Sequence, residues 1–220
     1  MSDAQGATVL IGGAFVLLLV ILLLVARKFS TLQKRLLPLV TSFGWEGVRP
    51  GWWNSINGQW RGMAVRLQHM SRYKGVPERL QLTVSTGSPA RLIVKRRGGF
   101  MSKPLTWFGP PIVEPMDPSV REQLWIRSDE LVFVDRLLGR TGVAAELARN
   151  VIARFDVIDL KPKGLRILRA VDDSAVKKRF DRPLLKFGRD YELIETIASE
   201  EWKLAVMIVE TLGPRGYDAA

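Results

Sequence analysis

The chain has 220 residues, of which 47% are hydrophobic and 25% charged, enough apolar material for a buried core and too much for a disordered chain. It contains no cysteine, which excludes disulfides, thiolate metal sites, a cysteine nucleophile and a lipoprotein anchor. Its net charge of +11 is uneven: residues 27–113 hold 15 Lys and Arg against Glu46 and Glu78, whereas residues 114–220 are close to neutral.

After a short tail, residues 1–6, the run ATVLIGGAFVLLLVILLLVA covers residues 7–26 without a charge. At about 1.5 Å per residue its twenty residues match the roughly 30 Å hydrocarbon core of a bilayer, which predicts a transmembrane helix. A cleaved signal peptide would need a basic start and a small-residue cleavage site, and neither is present. Arg27, Lys28, Lys34 and Arg35 follow the run and no basic residue precedes it, so the N-terminus is expected outside and the remainder in the cytoplasm. These four cations are the expected contacts to anionic phospholipid headgroups. Gly12 and Gly13 are the candidate packing site for another membrane helix.

Residues 27–43 read as a juxtamembrane basic helix with Leu32, Leu36, Leu37 and Val40 on one face. An α+β domain is expected over 44–213. Its first part, 44–97, alternates as strands do. Asn57-Gly58 predicts a hairpin turn, because a type I′ turn needs positive φ at both central positions. That register faces Trp52 towards Met63 and puts Trp52, Ile56, Met63, Val65 and Leu67 on the core side, with Trp53 and Trp60 on the other. Leu80, Leu82 and Val84 point inward and Arg79, Gln81 and Thr83 outward, and ARLIVKRR is expected to continue the meander. The sheet thus has one apolar and one basic face.

Residues 98–118 contain five prolines and read as an extended loop carrying Trp107 and Phe108. Over 119–213 the pattern is strand, helix capped by Ser128 or Asp129, helix with Val143, Leu147, Val151 and Phe155 on one face, hairpin turning near Lys163-Gly164, and a long helix ending at Gly213. Residues 214–220 form a tail. Strands and helices segregate, so the expected fold class is α+β: one N-terminal transmembrane helix, then a cytoplasmic domain with an antiparallel β-meander and segregated helices.

Chemistry is sparse. His69 is the single histidine and reads as a strand-end residue; Asp172-Asp173 and Glu200-Glu201 read as solvated pairs, because neighbours on a helix or strand point apart. GRTG at 139–142 lies between two expected helices and matches the nucleic-acid-binding GxxG loop of KH domains in letters only, without the strand order that loop requires. No nucleotide-binding, hydrolase or metal motif occurs, so no catalytic, cofactor or metal site is assigned, and convergence of carboxylates on His69 would be needed to revive an enzyme.

Three partners suit the basic half. They are other integral-membrane proteins, anionic phospholipid headgroups and, with no recognition motif to support it, nucleic acid. The expected partner surface comprises Trp45, Trp53, Trp60, Arg61, Lys95, Arg96, Arg97, Trp107 and Phe108, since Trp and Arg are the residues that anchor interfaces. The layout is similar to that of the H subunits of purple-bacterial photosynthetic reaction centres, a resemblance of architecture that implies an energy-transducing assembly as one case. The expected function is a non-catalytic accessory or scaffold subunit of a membrane complex; the alternative is a tethered domain whose basic face binds anionic lipid or nucleic acid.

Overall fold

Alternating apolar and polar side chains build nine strands, and a computed structural model describes them within residues 15–20, 32–52, 54–71, 77–87, 90–97, 110–114, 118–151, 156–171 and 191–213. The strands are β1 (Glu46–Gly51), β2 (Ser55–Trp60), β3 (Met63–Met70), β4 (Arg79–Val84), β5 (Leu92–Arg96), β6 (Ile112–Val113), β7 (Leu124–Ser128), β8 (Val157–Lys161) and β9 (Gly164–Ala170). They form one antiparallel sheet in the order β1-β2-β3-β4-β9-β8-β5-β7-β6. The helices are α1 (residues 32–42), α2 (Pro118–Gln123), α3 (Leu131–Leu138), α4 (Val143–Asn150) and α5 (Tyr191–Leu212). The fold is α+β.

Helices lie against one face of the sheet. Trp202 of α5 holds them there: its ring stacks on Phe43 at 5.6 Å between centroids and meets Trp45 and Trp60 edge-on at 5.4 and 5.0 Å. Leu32, Leu36 and Val40 of α1 join the same buried cluster, as do Val143 and Leu147 of α4 and Phe133 and Val134 of α3. From the sheet come Ile56, Met63, Val65, Leu67, Leu80, Leu82, Val94, Ile158, Leu160 and Ile167, each nearly inaccessible. The period-2 alternation therefore faces every one of these strands the same way.

Several expectations are corrected. The single-pass membrane architecture is the first: among the described residues no helix is long and apolar enough to cross a membrane. Of the run 7–26 only residues 15–20 are described, and they are helical and exposed. The rest of the run lies outside the described residues, as do Gly12, Gly13, Arg27 and Lys28. With the span go the assignment of the N-terminus to the outside and of the domain to the cytoplasm.

The hairpin turn is the second. Asn57 and Gly58 lie inside β2, whose partners are Arg66 and Val65, and the chain reverses instead at Arg61 and Gly62, with φ of 49° and 79°. Gly58 has a packing role: a Cβ there would lie 3.3 Å from the Trp45 ring and 3.1 Å from the Glu46 carbonyl oxygen. The shifted register exchanges the tryptophans. Trp60 is buried, whereas Trp52 sits in the β1–β2 turn with 87% of its surface exposed.

The meander is the third. β5 pairs with β7 and β8 rather than with β4, because the β8–β9 hairpin inserts between them. A short strand, β6, also forms inside the proline-rich segment, pairing Ile112 with Arg127. Finally, Glu130 occupies the N-cap of α3 without a side-chain cap, while the Ser128 hydroxyl accepts from the Glu130 N–H at 3.1 Å.

Replacing Trp202 with Ala removes the ring that three other aromatics touch. Urea unfolding should show a loss of about 3–5 kcal/mol, the usual cost of deleting a buried large aromatic. A loss under about 1 kcal/mol would show that the helices are held elsewhere.

Candidate interaction surface

With α1 to α5 on one face, the other is left without a covering helix among the described residues. The strand registers align its side chains in rows. One row crosses all nine strands: Arg49, Asn57, Arg66, Thr83, Arg166, Asp159, Ile93, Arg127 and Ile112. A second runs Gly51, Ser55, Gln68, Gln81, Leu168, Val157, Lys95 and Trp125. Met70, Arg79 and Ala170 form part of a third. Within the strands this face carries seven basic residues, the seventh being Lys161 at the end of β8, against Glu46 and Asp159. At about 4.8 Å between strands, the nine-strand row is roughly 38 Å long.

Some of these charges are already satisfied. Asp159 accepts from Arg166 Nη2 at 3.0 Å and lies 3.1 Å from Lys161 Nζ. Arg127 Nε donates to the Pro110 carbonyl at 2.7 Å, and the Arg97 guanidinium lies 4.3 Å from the Trp125 ring centre. Arg49, Arg66 and Arg79 have no carboxylate partner among the described residues. The Nε–H groups of Arg66 and Arg79 are also shielded from solvent without an acceptor, although each side chain is only half-buried. A guanidinium donor in that state is unusual, because buried donors are nearly always paired.

The helical side holds most of the acidic residues engaged in described ion pairs. Arg169 reaches from β9 to Glu200 and to Asn150 Oδ1 at 3.4 Å. Glu146 is gripped by Lys203 at 2.7 Å and by Arg149 at 3.1 Å, and Glu210 by Arg140 at 3.3 Å. Arg140 belongs to GRTG, so this loop spends its cation within the chain by donating to the Met207 carbonyl and the Thr211 hydroxyl.

Glu200 and Glu201 correct the expectation of a solvated pair. Glu201 has 0% exposure and neither carboxylate oxygen has a hydrogen-bond partner among the described residues. Burial pushes its carboxyl well above the usual carboxylate range; nearby Arg169 opposes that shift and Asp156 adds to it. His69 stands at the end of β3 as expected, but it is buried beside an acid that its sequence neighbours do not show: its Nε2 lies 2.5 Å from Glu78 Oε1, and its backbone N–H donates to the Asn54 carbonyl. Among the described residues no group of His, Asp and Glu could hold a metal ion. Asp172 and Asp173 lie outside them.

The structure redistributes the expected partner surface. Trp45 and Trp60 are core residues. Arg61 is exposed, stacks over the Trp60 ring at 4.7 Å and lies 3.6 Å from Glu210. Lys95 and Arg97 are on the open face and Arg96 is exposed at the end of β5, while Lys34 and Arg35 are exposed on α1, with Arg35 over the Tyr191 ring at 4.6 Å. Trp53, Trp107 and Phe108 lie outside the described residues. Arg49, Arg66, Arg127 and Arg166 escaped sequence reasoning; outward alternation was the signal that could have found them, as it did for Arg79.

No model of a protein family matches the chain, and no curated protein matches it. Among solved structures it is similar to the crystal structure of the mycobacterial trehalose monomycolate transport factor A, TtfA, with a TM-score of 0.38 and 12% identity over 77% of this chain and 95% of that one. A likeness at that level carries nothing over to this chain's function.

Because the folded state holds the Glu201 proton more tightly than the unfolded chain does, stability should be greatest below the ordinary carboxylate range and fall as pH rises from there through the raised value. Glu201→Gln should flatten that slope and raise the melting temperature at pH 8 by about 2–10 °C. Thermal melts of both proteins between pH 4 and pH 8 measure it, and an unchanged slope would assign the proton to another group.

Proposed function

We propose that the chain is a non-catalytic accessory or scaffold subunit that docks an acidic protein surface against the open basic face of its sheet. The observation that carries the reading is the row of arginines, Arg49, Arg66, Arg166 and Arg127, aligned by register across a face that no described helix covers. Arginine is enriched at interface anchors and matches carboxylates with its planar fork. Burying Arg49, Arg66 and Arg79, which have no carboxylate partner among the described residues, against a neutral surface would strip their hydration without return, so the partner must bring carboxylates. Apolar neighbours on the same face, Ile93, Val157 and Leu168, supply the nonpolar contact that charge alone lacks.

Cross-linking in cells, followed by isolation of the tagged full-length chain and mass spectrometry, tests the reading. A stoichiometric assembly is expected, with acidic partner peptides linked next to the open face. Arg49→Glu with Arg127→Glu should reduce its recovery at least about tenfold, since like charges then meet across the interface. Recovery of the lone chain, or an assembly indifferent to the two substitutions, would overturn it.

A further inference from the structure

Beyond a general attraction for acidic surfaces, the open face contains one spot with more definite chemistry. On adjacent strands β3 and β4, Arg66 pairs with Thr83, Gln68 with Gln81, and Met70 with Arg79. Two glutamine amides thus lie side by side, with an arginine at each diagonal end. Along a strand at about 3.3 Å per residue and across one gap of about 4.8 Å, the two arginine Cα atoms are roughly 14 Å apart. An extended arginine side chain covers about half of that distance, so the spacing lets both guanidinium groups meet a ligand seated over Gln68 and Gln81.

We infer that this cluster is an oxyanion site for a phosphate group, held by Arg66 and Arg79 and oriented by Gln68 and Gln81. Neither arginine has a carboxylate partner among the described residues, so the site carries two uncompensated positive charges. A phosphate monoester brings about −1.5 to −2 at pH 7 and three acceptor oxygens, whereas a carboxylate neutralises only one cation. The Nε–H groups of Arg66 and Arg79 have no acceptor within the chain, so no internal hydrogen bond at Nε competes with a ligand for either guanidinium group. The site rests on the reading of the open face as a binding face, and it adds a phosphate oxyanion as a ligand at the β3–β4 part of that face. The phosphate has two sources, a free anion or a lipid headgroup, and the same donors serve either.

The test uses the full chain. In the first arm, thermal melts and calorimetry compare about 20 mM inorganic phosphate with sodium chloride of equal ionic strength. The second measures co-sedimentation with phosphatidylcholine vesicles containing about 30% phosphatidic acid, against vesicles without it. Both are repeated with Arg66→Gln/Arg79→Gln and with Arg136→Gln/Lys163→Gln, which removes the same charge elsewhere on the surface. Binding at least about tenfold weaker in the first pair and unchanged in the second is expected. A response in the phosphate arm establishes a free anion as ligand, and a response in the vesicle arm alone establishes the headgroup. No response in either arm, or equal losses in both pairs, overturns the site. Partner assembly is read separately with Arg66 and Arg79 intact, so a missing partner and a missing phosphate response are distinguishable.

Discussion

The contact between Trp202 and the rings of Phe43, Trp45 and Trp60 decides what the rest of the molecule can do. It ties α5 to the end of α1, to the start of β1 and to β2 at once, and thereby commits the helices to one side of the sheet. Gly58 makes room for Trp45 in that arrangement, which is why a glycine stands inside a strand. Once the helical face is fixed, alternation leaves the opposite positions of the strands for polar residues, and in this sequence many of those positions are arginine.

Gathering cations on one face costs little while it is wet. Two unit charges about 10 Å apart in water repel by roughly 0.4 kcal/mol, and salt at physiological strength screens them over about 8 Å. The same charges become expensive when a surface closes over them and the effective dielectric falls. An open basic face is therefore tolerable alone and selective in contact, favouring partners that bring compensating charge. On the helical side the opposite solution applies, with Arg169, Lys203, Arg149 and Arg140 each set against a carboxylate. Glu201 is the exception: neither of its carboxylate oxygens is bonded, and burial pushes its carboxyl well above the usual carboxylate range although Arg169 opposes the shift.

Local patterning made much of this legible. Leu80, Leu82 and Val84 face inward and Arg79, Gln81 and Thr83 outward, because a half-buried strand leaves no other assignment; the β8–β9 hairpin and the end of α5 at Gly213 follow from equally local signals. What failed depended on distant packing. Asn57-Gly58 has the chemistry of a turn, and only the approach of Trp45 explains its place within β2. The position of β5 was hidden because its partners β7 and β8 come later in the chain, β8 more than sixty residues on. His69 seemed to lack an acid because Glu78 meets it only once β3 and β4 pair. Apolarity of the run 7–26 promised a span, but a sequence run by itself does not establish a helix of that length.

The charge asymmetry between the two halves of the sequence does not survive as an asymmetry between two halves of the molecule. Inserting β8 and β9 between β4 and β5 carries Asp159 into the middle of the basic row, where Arg166 and Lys161 neutralise it. Two basic poles remain, Arg49, Arg66 and Arg79 on β1 to β4 and Lys95, Arg97 and Arg127 on and beside β5 and β7. From β3 to β5 is four strand spacings, roughly 19 Å. A partner that fits the proposed docking therefore carries two acidic patches at about that separation, with a less charged strip between them to lie over Leu168, Val157 and Ile93. A single compact acidic patch would reach only one pole and leave the other hydrated, so this spacing favours an extended acidic surface over a point charge.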